Sequence, residues 1–161
     1  MRKALVWLLL ALACTANAET IITGLVVGVA DGDTITVLDA DKVQHKIRLA
    51  GIDAPEKKQA FGNRSKESLS ALAFDKTVNV ETSKRDRHGR RIGKVLVNGQ
   101  DVNLMQVERG MAWFYRQYQR EQSPNDRRLY AKAEDAARAD KRGLWRDADP
   151  LPPWEFRHNK P

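Results

Sequence analysis

The chain has 161 residues, which is enough for one domain with a substantial hydrophobic core. Its 28 lysines and arginines outnumber 21 aspartates and glutamates, which gives a formal net charge of +7. That excess favours a polyanionic partner, either nucleic acid or an anionic membrane surface. A single cysteine excludes a disulfide-rich scaffold.

The first 18 residues have the pattern of a secretory signal peptide. Arg2 and Lys3 precede an apolar run over residues 4–13, and the Ala-Asn-Ala of residues 16–18 fits a small-x-small cleavage site. The apolar run is too short for an ordinary membrane span. Cleavage before Glu19 removes two positive charges, so the mature balance is 26 basic against 21 acidic residues, or +5. We therefore expect an exported protein, either periplasmic or secreted.

Cys14 leaves an alternative open, because it lies inside this segment. Cleavage behind Ala13 and acylation of Cys14 would produce a lipoprotein, although Ala11 stands at position −3, where leucine is usual. Cleavage before Glu19 instead leaves a mature chain without cysteine, so neither disulfides nor thiol chemistry is available to it. For that chain we expect no stable membrane association and a monomer.

The first elements after this segment predict a β-meander. Residues 21–30 are apolar and β-branched with two glycines, which predicts a buried, bent strand. Residues 34–38 alternate between apolar and polar side chains, a turn follows at 39–42, and residues 43–49 alternate again.

The second half of the sequence mixes helices with two further strands. Asn63 is predicted to cap a helix over residues 64–74, and Ser123 to cap one that begins at Pro124 and runs to 139. Further segments are predicted as strands at 77–81 and 92–97, a basic turn at 83–91, a helix at 102–109, and an irregular proline-rich tail from 146.

Five short strands without an early parallel crossover favour a Greek-key barrel over a βαβ fold. We therefore predict a mainly β, α+β protein: a five-stranded OB-fold barrel with about three helices. The expected organisation is a signal peptide over 1–18, one domain over 19–146, and a tail over 147–161.

Two aspartates at the start of the second strand require an explanation, because aspartate disfavours strand structure. A turn at Asp31-Gly32-Asp33 is the ordinary one. Asp53, however, follows 20 residues after Asp33, and a meander brings the start of its second strand beside the end of its third. Two converging carboxylates need a cation between them, and oxygen ligands suit a hard divalent ion such as Ca²⁺ or Mg²⁺.

Glu56 and the arginines supply what a phosphodiester hydrolase needs besides a cation. Hydrolysis requires an activated water and neutralisation of the charge that builds on the phosphorus oxygens. A carboxylate such as Glu56 can take or orient the proton of the water, and arginine forks bind phosphate oxygens bidentately. Arg48 and the Asp-Arg-His-Gly-Arg-Arg turn at 86–91 offer such forks. Taken separately, a strand arginine and a charged turn are common on solvated surfaces.

Four separated motifs together resemble the staphylococcal-nuclease-like, or thermonuclease, family. They are VADGDTITV, IRLAGIDAPE, RDRHGRRIGKV and VERGMAWFY…GLW, and they occur in the family's order between about Ile22 and Trp145. The resemblance implies an OB-fold barrel with helices and a Ca²⁺-dependent nuclease. It also implies that DNA and RNA are cut with little sequence preference and that 3′-phosphate ends are left.

The same resemblance implies a Ca²⁺ site. Asp33 and Asp53 match the carboxylate ligands, and Ala54 matches the residue that binds through its backbone carbonyl, where better-known members have threonine. Asp31 matches a carboxylate that orients metal-bound water.

Catalytic and substrate-binding roles are implied by matching positions as well. The catalytic trio corresponds to Arg48, Glu56 and Arg90. Four further residues fall where nucleotide contacts are expected, with histidine and arginine replacing two family tyrosines: Arg87, His88, Arg116 and Tyr118. The neighbouring Trp113 and Phe114 are predicted to belong to the core.

Two other functions stay open at this point. An OB barrel is a common scaffold for nucleic-acid binding without catalysis, and some copies of this fold are catalytically silent. Silent copies lack the acidic and arginine residues that this chain keeps. A basic protein that binds anionic surfaces structurally is the third possibility, but it leaves Asp33, Asp53 and Glu56 without a role.

Overall fold

A closed β-barrel organises the protein, as seen in a computed structural model that describes residues 20–158. In chain order the strands are β1 (Thr20–Asp31), β2 (Thr34–Asp39), β3 (Gln44–Leu49), β4 (Ile52–Asp53), β5 (Thr77–Arg85), β6 (Arg91–Val97), β7 (Gln100–Asp101) and β8 (Trp113–Phe114). The helices are α1 (Gly62–Ala73), α2 (Val102–Glu108), α3 (Pro124–Ala139) and α4 (Pro153–His158), with 3-10 turns at Arg116–Glu121 and Gly143–Arg146.

Five of the strands form the barrel in the order β3-β2-β1-β5-β6. Neighbours in that order are antiparallel, and a parallel pairing of β3 with β6 closes the ring. The alternating residues of each strand point into the interior, where Ile35, Val37, Ile47, Val80 and Val95 are fully buried. Register shifts along β1 bend it around the barrel, as its glycines predicted. The predicted α+β, mainly β class with a five-stranded OB-fold barrel is confirmed.

The ends of several elements differ from the predictions. Strands β5 and β6 extend into the basic segment, so the turn itself covers only residues 86–90. The predicted Asn63 cap is wrong: α1 begins at Gly62 after Phe61, which has a left-handed backbone (φ 65°) and makes no side-chain cap. A Cβ on Gly62 would lie 2.1 Å from the Glu56 carbonyl oxygen, so the glycine lets the helix start against the loop that carries Glu56.

The described part of the C-terminal tail is also more ordered than its proline content predicted. Residues 153–158 form α4, with Pro153 buried at its first turn, where a missing N–H costs nothing. Across residues 20–158, no helix has both the length and the apolar character needed to cross a membrane.

Asn103, at the start of α2, stabilises the point where β3 and β6 close the barrel. Its buried side chain donates to the carbonyl oxygens of Ala50 (3.0 Å) and Gly93 (3.1 Å) and accepts from the Val95 amide (3.1 Å). Ala50 follows β3, and the other two partners belong to β6. Because an unpaired buried amide is costly, this network fixes the point from which the loop over residues 50–56 departs.

The turn between β1 and β2 rests directly on α1 and α2. Gln106 is fully buried and donates to the carbonyl oxygens of Gly32 (2.8 Å) and Ser65 (3.1 Å). A Cβ added to Gly32 would lie 1.8 Å from the Ser65 hydroxyl and 2.8 Å from the Ala54 Cβ. Only glycine therefore fits between Asp31 and Asp33.

This contact makes Gly32→Ala a test of how tightly the turn is packed. The substitution is expected to destabilise the protein by about 1–3 kcal/mol, because the added methyl group overpacks a buried contact. Gly28→Ala is the matched control: its Cβ would meet Thr36 only at 3.6 Å, and the change in stability should stay within about 1 kcal/mol. Urea unfolding of both variants measures the difference, and equal stabilities would contradict the packing.

Candidate active site

A cleft of about 610 Å³ lies where the β1–β2 turn, the end of β3 and the β5–β6 turn converge. Of the eleven residues that the sequence singled out, ten line it: Asp31, Asp33, Arg48, Asp53, Ala54, Glu56, Arg87, His88, Arg90 and Tyr118. Arg116 is not among them. The fold therefore gathers residues that are up to 87 positions apart in the chain into one cleft, counting from Asp31 to Tyr118.

The register of β2 and β3 brings Asp33 to Asp53. Thr34 pairs with Arg48 across the two strands, and the Leu49 amide donates to the Asp33 carbonyl oxygen at 2.8 Å. The chain then turns back, so the Ala54 amide donates to Asp33 Oδ2 at 2.7 Å. Asp53 is fixed by the pairing of β4 with β8. The meander thus places the two carboxylates together, as the sequence predicted.

Arg48 lies between these two carboxylates. Its Nη1 is 3.3 Å from Asp33 Oδ2, and its Nη2 donates to Asp53 Oδ1 at 2.9 Å. Nη1 also donates to the carbonyl oxygens of Leu49 and Ile52, at 3.0 and 2.9 Å. Asp53 is 1% exposed and Asp33 6%, so both charges are largely removed from water. A buried charge is costly unless it is paired, and the guanidinium supplies that pairing.

Nearby positive charges do not fully offset the burial of the Asp31 and Asp53 carboxylates. Burial, followed by repulsion from Asp33, raises the pKa of Asp31 to about 6. Burial also raises the pKa of Asp53, against the lowering effect of its arginine partners. A higher carboxyl pKa means that the charged form is disfavoured. The floor of the cleft therefore holds acidic groups that an added cation would stabilise.

This donor set fits a hard divalent cation that binds through few protein ligands. Within residues 20–158, no three His, Cys, Asp or Glu side chains are arranged to hold a metal ion by themselves. A cation at Asp33 and Asp53 would therefore rely on carbonyl oxygens and water as well, in the loose oxygen coordination that Ca²⁺ accepts. The backbone carbonyl of Ala54 stays the predicted third protein ligand.

Glu56 stands at the edge of the cleft, with a third of its side chain exposed. Its amide donates to Gln59 Oε1 at 3.0 Å, and its carbonyl oxygen accepts from the Gln59 amide at 2.8 Å. These bonds and the preceding Pro55 fix the backbone. The carboxylate accepts a hydrogen bond from Arg157 Nη1 at 2.9 Å.

Arg90 enters the cleft from the β5–β6 turn. Its Nε donates to Asp86 Oδ2 at 2.7 Å, and its amide donates to Asp86 Oδ1 at 3.0 Å. Burial opposes the charge on Asp86, but the hydrogen bonds from Arg90 and His88 outweigh it and lower the pKa of Asp86. Asp86 thus stays ionised and orients Arg90, whose Nη1 lies 3.5 Å from the Thr34 hydroxyl oxygen.

The predicted substrate-binding residues divide into two groups. Arg87 and His88 are exposed on the cleft rim, where Arg87 Nε donates to His88 Nε2 at 3.1 Å. Tyr118 is 44% exposed and packs edge-on against Tyr115, with ring centroids 4.9 Å apart. Arg116 pairs with the fully buried Glu134 and lies over the Phe114 ring, outside the cleft lining. The geometry therefore gives Arg116 a structural partner and no support for substrate contact.

Trp113 and Phe114 belong to the core, as predicted, with 7% and 2% exposure. Sequence reasoning missed Arg157, which reaches the cleft from α4 beyond the last recognised motif. The available signal was the Pro-Trp-Glu-Phe-Arg-His run at 153–158, where proline opens a short segment without a helix breaker.

Comparison with known proteins shows the family of the chain. The model of the family described as staphylococcal nuclease homologue matches residues 46–147. An uncharacterised endonuclease of Escherichia coli O157:H7 is 47% identical over 140 residues, which cover 86% of this chain and 87% of that protein. The micrococcal nuclease of Shigella flexneri is 41% identical over 143 residues, covering 83% and 79%. Protein ParB of Escherichia coli is 40% identical over 166 residues, covering 98% and 90%. The chain therefore belongs to the staphylococcal nuclease family.

Proposed function

We propose that this nuclease is a Ca²⁺-dependent phosphodiesterase that cuts DNA and RNA with little sequence preference and leaves 3′-phosphate ends. The observation that carries the proposal is the cleft in which buried Asp33 and Asp53 lie beside Glu56, Arg48 and Arg90. A binding module needs basic and aromatic side chains, but it has no use for desolvated carboxylates. Their placement is costly, and a cation with a water nucleophile gives them a function.

Ca²⁺, when bound, would supply Lewis-acid stabilisation of the charge on the phosphate and a template for the substrate. Asp33 and Asp53 would hold it directly, Ala54 through its carbonyl oxygen, and Asp31 through water. Because only two carboxylates coordinate directly, the affinity for the ion is expected to be modest.

Glu56 is the residue that receives the proton of the attacking water. Its carboxylate is partly exposed and held at the cleft edge, where water reaches it. The water oxygen bonds to phosphorus, its proton passes to Glu56, and the bond from phosphorus to the 5′ oxygen breaks. The 5′ oxygen takes its proton from solvent, since a guanidinium pKa above about 12 makes arginine a poor acid.

Arg48 and Arg90 stabilise the charge that develops on the phosphate oxygens. They approach the cleft from β3 and from the β5–β6 turn, so their guanidinium groups face it from two sides. A planar guanidinium fork matches two phosphate oxygens, and the Arg48 fork, which pairs with Asp33 and Asp53 in this structure, would turn to the phosphate when a cation takes over that pairing. The exposed Arg87, His88 and Tyr118 would contact backbone phosphates and bases, and such contacts carry little sequence information.

The metal requirement is tested by digesting plasmid DNA and RNA with Ca²⁺ and with excess chelator. Cleavage is expected only with Ca²⁺, and the products should carry 3′ phosphates that a phosphatase releases. Asp33→Asn should abolish the response to Ca²⁺, because it removes a ligand charge but keeps the side-chain shape. Asp135→Asn, on the exposed face of α3, is the matched control. Full activity in chelator would overturn the metal assignment.

Glu56→Gln separates catalysis from binding. It preserves the shape and the hydrogen-bond acceptor but removes the basicity, so the cleavage rate should fall by about 10²–10⁴-fold. Binding of a short oligonucleotide should change little. The exposed Glu67→Gln on α1 makes the same chemical change outside the cleft and should leave both unchanged. If Glu56→Gln cleaves as fast as the parent, the catalytic assignment is wrong and the binding-module alternative gains support.

We also propose export, on the signal-peptide pattern of residues 1–18, which lie outside the described residues. Protein recovered from the periplasm or the medium of an expressing bacterium is expected to begin at Glu19 on N-terminal sequencing. A lipid on Cys14 would support the lipoprotein alternative, and retention of Met1 on cytoplasmic protein would contradict export.

A further inference from the structure

Arg157 reaches the active-site cleft from outside the region that the family model matches. Its Nη2 donates to Asp53 Oδ2 at 2.8 Å, and its Nη1 donates to Asp53 Oδ1 at 3.2 Å and to Glu56 Oε1 at 2.9 Å. One guanidinium therefore binds both a predicted metal ligand and the predicted general base.

Aromatic packing holds α4 in this position. Trp154 stacks on Tyr115, with ring centroids 5.4 Å apart and an interplanar angle of 7°, and meets Trp113 edge-on at 5.5 Å. Just before the helix, the Leu151 carbonyl oxygen accepts from Gln59 Nε2 at 2.6 Å. These contacts are independent of Arg157, so α4 stays beside the cleft whichever partner the guanidinium has.

The present partners of Arg157 are the groups that a cation would use. Asp53 Oδ1 already accepts from Arg48 at 2.9 Å, and Arg157 engages both carboxylate oxygens. A divalent ion on Asp53 repels a guanidinium at the same oxygens, since like charges a few ångströms apart repel even under partial screening. Arg157 and the cation therefore compete for Asp53.

We propose that Arg157 is an additional substrate-binding residue: it neutralises Asp53 and Glu56 in the metal-free protein and binds a substrate phosphate once Asp53 is committed to a cation. The proposal rests on the Ca²⁺-dependent function proposed above. With Asp53 engaged, the anchored helix keeps the guanidinium beside Glu56, next to which the scissile phosphate must lie. Arg157 is 38% exposed, so its fork can turn to a phosphate without unfolding the tail.

The substitution Arg157→Gln tests this exchange through two affinities. Calorimetric titration with Ca²⁺ alone measures the competition, and titration with deoxyadenosine 3′,5′-bisphosphate at saturating Ca²⁺ measures phosphate binding. That probe has no internucleotide linkage to cut. Arg146→Gln, at an exposed residue outside the cleft lining, is the control for a lost positive charge. Near-UV circular dichroism reports whether Trp154 stays packed.

Arg157→Gln is expected to change the affinities for Ca²⁺ and for the bisphosphate in opposite directions. Arg157→Gln should bind Ca²⁺ about three- to tenfold more tightly, because a competing charge at a partly screened site is gone. Its affinity for the bisphosphate should fall by about tenfold or more, the usual effect of losing charge-assisted hydrogen bonds. Arg157→Lys should bind Ca²⁺ about as well as the parent, yet bind the bisphosphate more weakly, because an ammonium lacks the fork.

A purely structural role, in which Arg157 only holds α4 in place, predicts different changes in the two affinities. It would weaken both affinities together when α4 loosens, or change neither, and either result would overturn the proposal. If the parent protein cleaves nucleic acid with Ca²⁺ but Arg157→Gln shows no opposite shifts, only the role of Arg157 fails. A parent protein that binds no Ca²⁺ overturns the proposed function as well.

Discussion

The repulsion between two buried carboxylates is the constraint on which the rest of this site depends. Asp33 and Asp53 lie together because β2 pairs with β3 and the chain turns back at Ala54. Arg48 offsets their charge from the strand between them, at 3.3 and 2.9 Å. Removing one partner of such a buried pair typically costs about 3–5 kcal/mol, whereas an apolar replacement is often neutral. The arrangement is thus poorly explained by stability, and it fits the cation site proposed above.

The same carboxylates determine what surrounds them. The cleft is lined by six acidic side chains and six lysines or arginines, so its charge is balanced as a whole but separated in space. The most deeply buried acids, Asp33 and Asp53, form the floor, and Arg87 and Arg90 approach from the β5–β6 turn. The proposed cation and a substrate phosphate would each meet the opposite charge there. Because arginine forks bind phosphate whatever the base, this layout favours binding without sequence selectivity.

Much of the fold and of the site could be predicted, because the relevant signals are local. Alternation over 34–38 and 43–49 indicated strands, and once they form a meander, Asp33 and Asp53 must approach each other. The start of α1 was wrong, since tertiary contact decided it: Gly62 fits against the Glu56 carbonyl, and no capping residue is needed. Arg116 was matched to a substrate position, yet buried Glu134 on α3 supplies its partner, a contact no local pattern reports.

Arg157 shows why other parts of the site could not be predicted from the sequence. Its contacts with Asp53 and Glu56 span 104 and 101 residues, and proline near the chain end is ordinarily a sign of irregular structure. Trp154 helps to hold α4 in place by stacking on Tyr115, which follows β8 and is positioned by the pairing of β8 with β4. The aromatic residues at 113–115 thereby serve two purposes. Trp113 and Phe114 are buried in the core, and Trp113 and Tyr115 also contact Trp154 of α4. This aromatic surface thus links the stability of the fold to the position of the Arg157 guanidinium in the active site. Changes to the surface should therefore alter cation and phosphate binding as well as stability.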